Sequence, residues 1–168
     1  MRPQVVAHRG ASDENAEHTL GAYVKALDVG AQALECDVRL TADAHLVCVH
    51  DRDLRRTASR RGLVSTMDLA DLDQLDFASW KNPWAELDDE AADLDEEHRR
   101  VLTLRRLLDV VAAYDRPVEV AIETKHPTRY AGLVERKLAE ILAEFGSYVL
   151  DVGVLHRTIG LQSGADAA

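Results

Sequence analysis

Two histidines, His8 and His50, each close an apolar run, Val5-Val6-Ala7-His8 and Leu46-Val47-Cys48-Val49-His50. Between them Ala33-Leu34-Glu35-Cys36-Asp37-Val38 carries two carboxylates inside a third such run. A fourth, Val118-Glu119-Val120-Ala121-Ile122-Glu123-Thr124-Lys125, ends in an acid and a base. Side chains alternate faces along a strand, so Glu35 and Asp37 point one way and Cys36 the other. Two hard oxygen donors on one face, joined by Glu123, suit Mg²⁺ or Ca²⁺ better than zinc. His8 and His50 can exchange protons near neutral pH. Arg9 and Lys125 can hold phosphate oxygens, the arginine bidentately and the lysine as a point charge. The set points to metal-assisted acid–base chemistry on an anionic substrate.

Each residue also has a plainer reading. Glu35 and Asp37 could be strand-edge carboxylates, His8 a satisfied structural histidine, Arg9 a salt-bridge partner and His50-Asp51 a turn or helix cap. Acids flanked by Leu34 and Val38 are seldom buried unpaired, and four such segments together are harder to dismiss than one.

Apolar strands that end in ionisable groups need a scaffold that gathers strand ends, and a parallel barrel does this at its C-terminal face. Residues 3–8 read as a short buried strand, 33–40 as a second and 46–50 as a further extended run, with 41–44 as a polar break. Thr19 to Val29 carries a helical pattern with Leu20, Tyr23, Val24 and Leu27 on one face and Gly30 as its stop. Thr103 to Tyr114 is amphipathic, with Thr103 as N-cap and Leu104, Leu107, Leu108, Val111 and Ala112 on one side. Residues 118–123 form a strand, and Tyr130 to Phe145 a long helix ended by Gly146. Residues 147–155 offer one more strand. The alternation of strands and helices favours parallel α/β architecture. Residues 51–100 are less regular. They hold a basic patch of Arg55, Arg56, Arg60 and Arg61, a short helix within Met67 to Leu75, a loop from Trp80 to Trp84 and an acidic run from Glu86 to Glu97. That run is a solvated face or loop, since the glycine and acid spacing of an EF-hand are missing.

The chain has 168 residues, enough for one domain with a real core. A net charge of −10 and 5% aromatic residues argue against nucleic-acid binding, which needs basic surface and stacking platforms. There is no signal-peptide core and no run long enough to span a bilayer, so the cytoplasm is the default location and no membrane insertion is expected. Cys36 and Cys48, the only cysteines, sit in strands and read as inert core thiols.

His8-Arg9-Gly10, Glu17-His18-Thr19, Glu35-Cys36-Asp37-Val38 with Thr41, Val47 to Asp51, and Glu123-Thr124-Lys125 resemble, in order and approximate spacing, the motifs of glycerophosphodiester phosphodiesterases. The resemblance covers residues 3 to about 145. It implies a TIM-type (β/α)₈ barrel that hydrolyses glycerophosphodiesters to glycerol 3-phosphate and an alcohol. Glu35, Asp37 and Glu123 would hold a divalent metal, Mg²⁺ or Ca²⁺. His8 and His50 would be general base and general acid, Arg9 and Lys125 would lie near the phosphate, and residues 51–100 would be the family's small insertion. The partner implied is a small-molecule substrate.

Three departures stand out. Ala16-Glu17-His18-Thr19 replaces a Pro-Glu-Asn-Thr stretch, and Ala44 takes the place of a glycine expected to need positive φ. Such barrels also run to about 250 residues. A single partial domain is therefore expected, holding the N-terminal half to two-thirds of the barrel, with an atypical tail from about 147. An unclosed sheet edge would favour a homo-oligomer. Two other readings remain open: a non-catalytic remnant that keeps the metal and phosphate site, and a phospholipase-type enzyme acting on intact lipid.

Overall fold

The computed structural model describes residues 4–84, 96–125, 132–145, 148–153 and 158–163. The first unit is β1 (Val6–His8), α1 (Leu20–Asp28) and β2 (Ala33–Leu40). Helix α1 begins where expected because Thr19 Oγ1 accepts from the Ala22 amide. It buries Leu20, Tyr23, Ala26 and Leu27 and stops at Gly30, whose φ is +91°. The loop entering it depends on Gly10, with φ +83°. A Cβ there would lie 2.7 Å from the Ala22 carbonyl carbon. Glycine alone lets the backbone following His8 rest on α1.

Strand β2 is the centre of the sheet. Its first three residues pair in parallel with β1, placing His8 beside Glu35. Its other edge pairs in parallel with β4 (Glu119–Thr124), placing Asp37 beside Glu123 and Glu35 beside Ala121. Strand β3 (Leu46–Cys48) continues along the β1 edge, antiparallel to β2. This corrects the expectation of a uniformly parallel set. Five residues, 41–45, separate β2 from β3, whereas a parallel crossover needs a dozen or more. The turn closes through Thr41, whose hydroxyl donates to Asp43 Oδ1 at 2.6 Å and accepts from the His45 amide at 2.9 Å. Ala44 does sit at positive φ, +66°.

Strand β1 corrects a second expectation. It is an edge strand, with Val6 46% exposed and the preceding Val5 62%, because β2 is its only strand partner among the described residues. The candidate strand at 147–155 is present as β5 (Tyr148–Gly153). It pairs antiparallel with β6 (Thr158–Ser163), which itself runs antiparallel to β4.

Between β3 and β4 lie α2 (Arg55–Ala58), a 3₁₀ turn at Val64–Thr66, α3 (Leu69–Leu72), α4 (Glu96–Arg99) and α5 (Leu104–Ala112), and α6 (Leu133–Glu144) follows β4. Thr103 caps α5 by accepting from the Arg106 amide, and Leu104, Leu107, Leu108 and Val111 are buried as the pattern required, while Ala112, expected on the same side, is exposed. Helix α6 buries Val134, Leu138 and Leu142. The expected start at Tyr130, the stop at Gly146 and most of the acidic run fall outside the described residues. Two hydrophobic cores result among the described residues. Helices α1, α5 and α6 cover Cys36, Val38 and Leu40 of β2 and Val120 and Ile122 of β4. A smaller core joins Val47, Val49, Leu54, Val64, Leu72, Phe77 and Val101. Fully burying each such large aliphatic contributes roughly 1.5–3 kcal/mol. Cys36 and Cys48 are buried and free. No helix among the described residues is long and apolar enough to cross a membrane.

Candidate active site

With Cys36, Val38 and Leu40 committed to the core, alternation turns Glu35, Asp37 and Arg39 to the opposite face. The parallel register of β4 then adds Glu123. One ligand atom from each of Glu35, Asp37 and Glu123 can be chosen so that all lie within 4.8 Å of one another. Three hard carboxylates that converge in this way could hold a divalent cation.

The cations come in close beside them. Lys125 Nζ is 2.6 Å from Glu123 Oε1 and 3.3 Å from Asp37 Oδ1. Arg9, with φ +61°, places Nε 3.1 Å from Asp37 Oδ2 and Nη1 3.2 Å from Glu17 Oε1. Its backbone amide donates to the Glu35 carboxylate at 3.1 Å. His8 Nε2 is 3.8 Å from Glu35 Oε2, and its ring is largely exposed.

The two strand carboxylates are shifted in opposite directions. Burial, with the negative charge of Asp37 added, pushes Glu35 up to about 7. Asp37 is buried too, which pulls it upward. The His18 hydrogen bond and the charges of His18, Lys125 and Arg9 overcome this and hold it at about 2. Lys125 is raised, as its bonds to Glu123 and Asp37 outweigh burial.

His50 is tied to this cluster through other residues. Arg39 donates to the His50 carbonyl through Nε (2.9 Å) and Nη2 (2.6 Å) and to the Lys125 carbonyl through Nη1 (3.3 Å). One guanidinium thereby fixes the chain that follows two strands. His50 Nδ1 is 2.8 Å from Asp51 Oδ1.

Several residues here had no role assigned from sequence. Arg39 was findable, because it follows Glu35 and Asp37 at the same period of two. His18 was noted only as a departure. It is 4% exposed, with Nε2 3.1 Å from Asp37 Oδ2 and Nδ1 2.8 Å from the Tyr23 hydroxyl, which donates to the Glu35 carbonyl at 3.1 Å. Burial lowers its pKa, against the pull of Asp37. Nothing in its spacing announced that wiring. Glu17 lay in a motif without a function; it accepts from both Arg9 and Arg56.

Residues 8–165 match the profile of the glycerophosphoryl diester phosphodiesterase family. The chain belongs to that family. It is 52% identical over 144 residues to the probable glycerophosphodiester phosphodiesterase 1 of Mycobacterium tuberculosis, covering 86% of this chain and 50% of that protein. It is 37% identical over 136 residues to a glycerophosphodiester phosphodiesterase of Bacillus subtilis, covering 81% and 44%. The chain spans about half the length of the curated relatives it matches. Among solved structures it superposes on an Oleispira antarctica phosphodiesterase in complex with sn-glycerol-3-phosphate, with a TM-score of 0.72 and 30% identity over 85% of this chain and 53% of that one. The fold of this family member is thus α/β of the TIM-barrel type, represented here by a partial parallel sheet.

Proposed function

We propose that this chain carries the hydrolytic site of a glycerophosphodiester phosphodiesterase, cleaving a small glycerophosphodiester to glycerol 3-phosphate and an alcohol. The observation that carries this reading is the convergence of Glu35, Asp37 and Glu123 beside His8, Arg9 and Lys125. The three carboxylates fit a hard divalent cation, Mg²⁺ or Ca²⁺, which when bound would supply charge stabilisation for the phosphoryl oxygens. Arg9 and Lys125 hold the remaining phosphate charge. His8 and His50 serve as general base and general acid. One removes the proton from the attacking oxygen, and the other delivers a proton to the departing alcohol oxygen. The attacking oxygen is water or the substrate's own neighbouring hydroxyl; accumulation of a cyclic phosphate separates the two.

The test is hydrolysis of glycerophosphocholine and glycerophosphoethanolamine by the purified chain, with Mg²⁺, with Ca²⁺ and with EDTA, and with His8→Ala as control. Metal-dependent turnover that His8→Ala abolishes is the expected result. A folded chain that binds the ion without turnover makes this a binding remnant of the family.

A further inference from the structure

Arg56 of the basic patch, though 41% exposed, reaches the site, and it uses every kind of guanidinium nitrogen to do so. Nη1 and Nη2 grip Glu17 bidentately, at 2.9 Å to Oε2 and 2.6 Å to Oε1. Nε donates to Asp51 Oδ2 at 2.6 Å, and Asp51 turns its other oxygen, Oδ1, to His50 Nδ1 at 2.8 Å. The guanidinium also lies over the Trp80 ring, 5.3 Å from its centroid. Glu17 in turn meets Arg9, which meets Asp37. The two sides of the site are thus joined by one unbroken line: His50, Asp51, Arg56, Glu17, Arg9, Asp37.

We propose that Arg56 is a positioning residue. By locking the Asp51 carboxylate against Glu17, it fixes the His50 ring with Nδ1–H on Asp51, so that Nε2 is the nitrogen that takes up a proton and delivers it to the departing oxygen. The argument is geometric. A carboxylate accepts only, so a neutral His50 bonded to Asp51 must carry its hydrogen on Nδ1. An Asp51 with one oxygen unheld could rotate and release that constraint. Arg56 holds it, and the fork to Glu17 holds Arg56, so α2 is tied to the loop entering α1. A lysine could not replace it, because an ammonium is a point donor and makes no planar fork. The catalytic part of this inference rests on the reading of His50 as a proton-transfer group; the tautomer part does not.

The experiment is ¹⁵N NMR of the histidine rings in the full chain, alongside turnover, for the unaltered protein, Arg56→Gln, Arg56→Lys and Glu17→Gln. In the unaltered protein the neutral His50 ring is expected to be protonated on Nδ1. Arg56→Gln should shift it toward the Nε2–H form. It should also lower kcat by roughly ten- to hundredfold, the range for partners that orient a working histidine, with KM within about twofold. Arg56→Lys should not rescue either readout. Glu17→Gln, which keeps one acceptor for the fork, should move both in the same direction by less, and it decides the matter if Arg56→Gln fails to fold. A His50 ring already protonated on Nε2, or a tautomer unmoved in Arg56→Gln and Glu17→Gln, overturns the inference. Absent turnover with the tautomer shift intact would sink the hydrolase reading and leave the positioning role standing.

Discussion

Strands β2 and β4 and the segment from Asp51 to Trp84 meet at one site on different terms. The strands present Glu35, Asp37, Arg39 and Glu123 by register, in strands paired to their neighbours with a core beneath. The segment has only short helical turns and a core of seven buried residues, part of it borrowed from Val47, Val49 and Val101. What it contributes to the site, chiefly Arg56, is held by ion pairs rather than by secondary structure. Strands here bring the charges together, and the irregular segment sets the orientation of what lies beside them.

The largest test of that contrast compares two fully buried leucines, one from each core. Leu138→Ala, on α6, and Leu54→Ala, in the segment, each remove a side chain with no exposed surface. Each should cost about 2–5 kcal/mol, set by how far the cavity collapses. The difference lies in where the loss is felt. Leu138→Ala should lower the global denaturant midpoint. Leu54→Ala should strip hydrogen-exchange protection from amides between 54 and 77 while those of β2 and β4 hold. Equal deprotection of both regions by Leu54→Ala would show them to be one cooperative unit and end the comparison.

Within the strand region a smaller effect separates two residues on one face. Glu35 is raised to about 7 in the folded chain, from an ordinary 4.5, mainly by burial. The folded state therefore binds the extra proton, and the stability this provides is complete below about pH 4.5 and lost as pH rises through about 7. Asp37 behaves oppositely. Its contribution is present above its ordinary 3.8 and is lost as pH falls toward about 2. Glu35→Gln cannot ionise, so in EDTA it should gain about 1–3 kcal/mol over the unaltered chain at pH 8 and lose that advantage at pH 5. Denaturant midpoints at the two pH values measure this. A pH-independent difference would mean that Glu35 is not desolvated by the strand packing described.

The same contrast explains how much was readable beforehand. Alternation in Glu35-Cys36-Asp37 and helical spacing from Leu104 to Val111 are local patterns, and the strands, helices α1 and α5 and the grouping of the acids followed from them. The antiparallel turn to β3 was legible in principle, since 41–45 is too short for a crossover. The exposure of Val5 and Val6 was not, because an apolar run does not reveal whether both its edges are paired. Arg56 and His18 were beyond reach for another reason. Arg56 binds Glu17 across 39 residues, and His18 reaches Asp37 across 19 from a backbone at φ +60°. Such pairs exist only once the loops are folded over the strand ends, and no period encodes them.

The smallest effect concerns where the two regions store backbone strain. Arg9, His18, Ala44 and Ser59 all have positive φ without being glycine. At Arg9 and His18 the side chain is engaged at the site, so replacing either with glycine would confound strain relief with lost contacts. At Ala44 the loss is smaller, a methyl partly buried against the larger core. Its methyl bears no hydrogen bond, and the turn around it is held by Thr41, Asp43 and His45. An L-residue in this left-handed region costs about 1–2 kcal/mol, and a glycine offsets part of that relief by roughly 0.5–1 kcal/mol through a freer unfolded chain. Ala44→Gly should therefore stabilise by about 0.5 kcal/mol, visible as a small rise in Tm with the ¹⁵N signals of the site histidines unchanged. A fall in Tm would mean that the β2–β3 turn carries no relievable strain beyond the packing that the Ala44 methyl supplies.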